Sequence, residues 1–158
     1  MTNTNLTPDR RVLRAIRRTV TTALLGFAPA IAIAAAPITM HRDPGCGCCM
    51  AWAAQVRAAF GQDVQVVDDA QRPAFQRKVG VPAHLSGCHT AIIAGYAFEG
   101  HVPIADIKRL IASKPKGVRG LAVPGMPLGS PGMEAGGRKD RFDTVAFGTG
   151  KPVVFARH

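Results

Sequence analysis

The chain has 158 residues, 47% of them hydrophobic and 19% charged, which suits one domain and leaves two cramped. Aromatic residues make up 6%, with one Trp and one Tyr, which argues against a surface for stacking nucleic-acid bases. The net charge of +10 is uneven: Arg10, Arg11, Arg14, Arg17 and Arg18 crowd the first 18 residues beside Asp9, and from residue 37 onward 15 bases face 9 acids, so basicity does not by itself call for a nucleic-acid partner.

Residues 1–18 are polar and end in the arginine cluster, and residues 19–36 (TVTTALLGFAPAIAIAAA) are short, apolar and rich in Ala. A basic start, an apolar stretch and a small-residue exit describe a secretory signal peptide over residues 1–36. Cleavage is expected near 34–36, and best after Ala34, because cleavage after Ala36 puts Pro37 at the new N-terminus. The alternative is a membrane anchor, for which the stretch is barely long enough and is interrupted by Gly26 and Pro29. The Arg10-Arg11 pair loosely suggests a twin-arginine export signal. Export places the working chain in the periplasm, free of the membrane after cleavage and in a compartment that permits disulfides.

Pro37 to His41 reads as a strand closed by Asp43-Pro44-Gly45. Cys48 to Phe60 carries Cys49, Trp52, Ala53, Val56, Ala59 and Phe60 at helical spacing and stops at Gly61. Val64 to Val67 is a second strand, Pro73 to Val79 a short helix, and Val81 to Gly87 a loop. His89 to Ala94 is a third strand that Gly95 turns into Tyr96–Glu99, forming a hairpin, and Ile104 to Ala112 is a further helix. Strand, helix, strand, helix, hairpin, helix is the ground plan of a thioredoxin-like α/β domain, expected over residues 37–114. Residues 115–152 hold nine Gly and five Pro, over a third of that stretch against about 12% on average. Residues 115–158 therefore read as an irregular extension. Strands are expected there only around Thr144–Phe147 and Val153–Phe155. Its apolar residues, among them Leu121, Val123, Met126, Met133, Phe142 and Phe147, imply that it packs back onto the domain.

Cys46-Gly47-Cys48-Cys49 lies where the first strand feeds the first helix. A helix N-terminus offers free N–H groups and partial positive charge, which favour thiolate, the reactive and metal-binding form. Cys46 and Cys49 have the Cys-x-x-Cys spacing of a redox pair. The added Cys48 changes the expectation: neighbours on a helix point about 100° apart, so Cys48 and Cys49 do not readily ligate one tetrahedral ion but suit bridging between soft ions. Soft sulfur selects Cu(I), and with less preference zinc or iron–sulfur chemistry. The fourth thiol, Cys88, stands beside His89 just before the third strand, in the loop that faces the Cys turn in a thioredoxin-like domain. His101, Met126 and Met133 are further candidate ligands, thioether being a copper-friendly donor. Four Cys in an exported chain also allow two structural disulfides with three pairings, although a bond inside CGCC is expected to be strained. His41, His84 and His158 receive no functional role.

The stretches CGCCMAW, the Asp68-Asp69 pair, GVPAHLSGCHTAIIAGYAFEGHVP and GLAVPGMPLGSPGME resemble the CopG-type periplasmic proteins of bacterial copper resistance, over roughly residues 37–155. The resemblance implies a thioredoxin-like domain whose C-terminal extension helps to build a metal site. It also implies several copper ions bridged by the CxCC sulfurs, and an oxidoreductase activity interconverting Cu(I) and Cu(II). Cys46, Cys48, Cys49 and Cys88 match the family thiols, and His89, His101, Met126 and Met133 match further conspicuous positions. Copper ions are thus the expected cofactor and partner, with a copper efflux system or a periplasmic redox partner beyond them. A thiol–disulfide oxidoreductase and a non-catalytic copper chaperone are the alternatives.

Overall fold

The computed structural model describes residues 36–158; the leader expected in residues 1–36 lies, but for Ala36, outside them. Seven strands, β1 (Ile38–Arg42), β2 (Val64–Asp68), β3 (His89–Ile93), β4 (Tyr96–Glu99), β5 (Val118–Ala122), β6 (Asp143–Gly148) and β7 (Val153–Arg157), form one sheet in the order β2-β1-β3-β4-β5-β6-β7. Among the described residues three α-helices accompany it, α1 (Gly47–Phe60), α2 (Arg72–Val79) and α3 (Ile104–Ser113). β1 and β2 run parallel, as do β4 and β5, and the other neighbours are antiparallel. The fold is thus a mixed α/β one. No helix among the described residues is long and apolar enough to cross a membrane.

The helices form where apolar spacing and stop residues require them. α1 buries Cys49, Trp52, Ala53 and Val56, one stripe at helical spacing, and ends at Gly61 in the left-handed region at φ 62°. Trp52 is fully buried, and its indole N–H donates to the Val102 carbonyl at 2.9 Å, which pins α1 to the segment after β4. Burying such a side chain contributes about 2–3 kcal/mol. β3 is covered on both faces, as a strand near the middle of a sheet should be.

Residues 115–158 depart from the expected irregular extension. They supply three of the seven strands, and β5 joins the sheet edge offered by β4, with Phe98 opposite Leu121. The expected strands around Thr144 and Val153 are present as β6 and β7; β5 was not anticipated. The physical reason lies at Gly120. A Cβ there would run into the backbone of Ala97 and the ring of Phe147, so glycine is what lets β5 lie against β4. In the sequence the same glycine reads as a strand breaker.

This topology brings distant stretches to one end of the sheet. β1 ends at Arg42, opposite His89 at the start of its antiparallel neighbour β3. Cys88 therefore emerges beside the turn that leads into α1, and the Asp43 N–H donates to its carbonyl at 3.0 Å. β4 and β5 end at the same place, where the Val123 N–H meets the Glu99 carbonyl at 2.9 Å.

Candidate metal centre

Cys46 is the N-cap of α1, in extended conformation, and its side chain does not cap the helix; no acid occupies the first turn. The helix dipole and its free N–H groups are thus left facing sulfur. Cys46 and Cys49 are joined as a disulfide, with Cα atoms 5.6 Å apart, inside the ordinary range for such a bond. The extended N-cap places Cys46 where Cys49, one helical turn on, can meet it. Cys48 and Cys88 are free thiols.

The sulfurs form a chain. Cys48 Sγ lies 3.2 Å from Cys46 Sγ, and Cys88 Sγ lies 3.3 Å from Cys49 Sγ. The imidazoles join at the Cys88 end, His101 Nε2 at 3.1 Å and His89 Nδ1 at 3.6 Å from Cys88 Sγ. Two overlapping donor groups result, Cys46–Cys48–Cys49–Cys88 and Cys49–Cys88–His89–His101, each with its ligand atoms within 4.8 Å of one another. Six of the eight residues singled out in the sequence therefore come together. Of the other two, Met126 is 55% exposed and Met133 is half-buried on the loop over α1.

Burial sets the charge state of the inner donors. It pushes the Cys88 thiol up to about 12, helped by the neighbouring Cys48, while Arg72 pulls the other way. Burial also lowers the pKa of His101, and that of His89 far below the usual imidazole value, with the adjacent His101 adding to the shift at His89. Both shifts favour the neutral imidazole, the form that ligates metal. His101 Nδ1 donates to the Pro131 carbonyl at 2.7 Å, which leaves Nε2 bare and aimed at Cys88. A ring whose far N–H is held by a backbone carbonyl is the usual arrangement for a metal-binding histidine. His89 is fully buried, and its Nε2 is the one buried side-chain nitrogen or oxygen without a hydrogen-bond partner among the described residues. Thiols, bare imidazole nitrogen and an orphaned buried nitrogen fit a soft or borderline ion.

The extension closes the site. Gly132, at φ +84°, sits so close to α1 that a Cβ would come within 2.8 Å of the Cys48 carbonyl and the Trp52 nitrogen. Glu134 accepts from Gln55 of α1 at 3.1 Å and from the Gly132 N–H at 3.0 Å, which holds the Pro131 carbonyl over His101. A cleft of about 770 Å³ between Pro124, Pro127, Arg141, Phe142, Asp143, Val145, Arg157 and His158 includes none of the sulfur or imidazole donors. The donor set is a compact cluster, each of its two groups having ligand atoms within 4.8 Å of one another.

Two solved structures of a copper resistance protein CopG, Form 2 and Form 1, superpose on this chain with TM-scores of 0.71 and 0.72 at 41% sequence identity. Each covers 78% of this chain, and the match spans 99% and 98% of theirs. The chain belongs to the CopG copper-resistance family. A family model described as a protein of unknown function, DUF411, matches residues 85–133, which hold Cys88, both buried imidazoles, Pro131 and the two candidate Met residues, but not the CGCC turn. No curated protein sequence matches the chain. Within this CopG-family protein, sequence reasoning missed the buried charges behind Cys88. Arg72 and Glu99 are 4% and 0% exposed and paired at 3.0 Å. Glu99 also passed unnoticed as the last residue of a hairpin strand, where charged residues are usually solvated.

Proposed function

We propose that this CopG-family protein binds copper in the periplasm and interconverts Cu(I) and Cu(II), with copper as substrate and cargo. The observation that carries the reading is the meeting of four cysteines and two imidazoles from separate stretches of chain. Sulfur favours Cu(I), and bare imidazole nitrogen keeps Cu(II) accessible. The Cys46–Cys49 disulfide must take up two electrons and two protons before its sulfurs serve as ligands. Cys48 and Cys88 then flank the reduced pair, and Cys88 gives up its proton when it binds metal. Met126 and Met133 stand as additional thioether donors from the extension. We read residues 37–114 as a thioredoxin-like domain, which the strand order β2-β1-β3-β4 supports, with residues 115–158 completing the site. The leader in residues 1–36 accounts for export, and the product ion passes to an efflux system or a redox partner.

The test is anaerobic Cu(I) loading of the reduced protein, with copper per chain measured before electron paramagnetic resonance is followed through oxidation and re-reduction. The expected result is at least one ion per chain and a Cu(II) signal that appears and disappears reversibly. Substoichiometric copper that does not change when Cys46, Cys48 and Cys49 are all replaced by Ser contradicts the reading. A redox-silent site that still transfers its ion supports a chaperone instead.

The Cys46–Cys49 disulfide at the start of α1 favours a second reading, a thiol–disulfide oxidoreductase. That activity reduces insulin disulfides without metal, is lost in Cys46→Ser, and persists in Cys48→Ser.

A further inference from the structure

Behind the sulfur cluster lies a set of charges that copper binding does not use. Arg72, at the first position of α2, is 4% exposed and makes four hydrogen bonds through its guanidinium. Nε and Nη2 donate to the two carboxylate oxygens of Asp43 at 2.7 and 3.1 Å. Nη1 donates to Glu99 Oε1 at 3.0 Å, and Nη2 also donates to the Gly87 carbonyl at 2.7 Å. Glu99, fully buried at the end of β4, accepts in addition from the Gly87 N–H at 2.7 Å, Gln76 Nε2 at 2.6 Å and Thr90 Oγ1 at 2.5 Å. Both polar groups of the Gly87 backbone are thus held by charged partners. Gly87 immediately precedes Cys88. Asp43 lies in the turn that leads to Cys46, and its own N–H holds the Cys88 carbonyl at 3.0 Å.

Buried charges are expensive to desolvate, and a hydrophobic pair often serves stability as well or better. Stability alone therefore does not account for them, whereas geometry does. We infer that Arg72, together with Glu99 and Asp43, is a positioning device: an ionic strut that fixes the Gly87–Cys88 backbone against the turn leading to Cys46, and so sets the distance between the two sulfur-bearing stretches. The bidentate fork of Arg72 spans Asp43 on one side and the Gly87 carbonyl and Glu99 on the other. A point-charge ammonium cannot hold that many partners in fixed directions. The inference rests on the copper reading for its purpose, but not for its test, which contains no metal.

In a full-length Cys46→Ser, Cys48→Ser background only Cys49 and Cys88 remain. Oxidised glutathione then forms a mixed disulfide on one thiol, releasing one glutathione, and the other thiol displaces the second to give Cys49–Cys88. The equilibrium against glutathione yields the effective concentration of one thiol at the other, which reads positioning directly. Two further changes are made in this background: Asp43→Ala, which cuts the partly exposed end of the strut, and the pair Arg72→Met, Glu99→Leu, which removes both buried charges together. Folding is checked by circular dichroism. The expected result is a fall in effective concentration of about tenfold or more in the folded variants, because small displacements of reacting groups are costly. A smaller fall in both, or in Asp43→Ala alone should the double change not fold, overturns the strut. Failure of wild-type protein to bind copper leaves this measurement standing and overturns only the copper reading.

Discussion

Two polar clusters in this protein each contain a histidine packed against the sheet, and they have opposite chemistry. At the far end of the chain, His158 Nε2 meets Asp106 Oδ2 at 2.8 Å. The Thr144 hydroxyl donates to the same oxygen at 2.8 Å, Arg109 reaches Asp106 Oδ1 at 3.3 Å, and the His158 ring stacks on Phe142. Each polar group there has a complementary neighbour, so the cluster ties β6 and the chain end to α3 and has no need of a ligand. At the sulfur cluster, the donors face one another, two thiols are free, and His89 Nε2 has no partner among the described residues. A satisfied buried cluster is architecture. One that gathers free thiols around a buried imidazole nitrogen with no partner is a site, because burying an unmatched polar group costs free energy unless something completes it.

The comparison can be broken from either side. Cys88→Ser removes the one thiol contributed by the second stretch, and Cu(I) affinity, measured by competition with a chelator, should fall by about 100-fold. The fold should be retained, and replacing His158 by Ala should leave that affinity unchanged. Gly132→Ala forces a Cβ against α1 at a positive φ, displacing the Pro131 carbonyl from His101. A loss of about 2 kcal/mol in denaturant unfolding should accompany a roughly tenfold loss in copper affinity. Asp106→Ala should show the converse: about 1–3 kcal/mol of stability lost with copper per chain unaltered, since it takes the carboxylate from the Thr144 hydroxyl and the His158 ring and belongs to neither donor group. The smallest effect is expected at Asp69, whose carboxyl lies below its usual value chiefly because His41 Nδ1 donates to it at 2.8 Å. A carboxylate with a depressed folded-state pKa adds stability above its unfolded value of about 3.9. That contribution disappears as pH falls through the folded value. Unfolding measured from neutral to acid pH should lose this component in Asp69→Asn, while copper binding at neutral pH stays unchanged.

Much of the scaffold was legible because its signals are local. The Cys49–Trp52–Val56 stripe and the Gly61 stop define α1 to within one residue at its start. Short apolar runs and turn residues mark β1 to β4. β5 was hidden because its sequence, VRGLA, carries the glycine that its close approach to β4 requires, between Gly117 and Pro124. The thiols were legible from spacing and residue type, and the expected facing of Cys88 and the CGCC turn agrees with the 3.3 Å between Cys88 and Cys49. The supports were not legible. Arg72 and Glu99 are 27 residues apart in sequence and each looks like a solvated charge. The group that orients His101 is a backbone carbonyl, that of Pro131, and a carbonyl leaves no mark on residue identity.

The most direct measurement of the central claim, that sulfur from two separate stretches of chain surrounds one soft-metal site, is copper X-ray absorption on the anaerobically Cu(I)-loaded protein, wild type beside Cys88→Ser. The expected result is a predominantly sulfur coordination shell that loses sulfur neighbours when Cys88 is replaced. A shell of nitrogen and oxygen, or a sulfur shell that Cys88→Ser leaves unaltered, would contradict it.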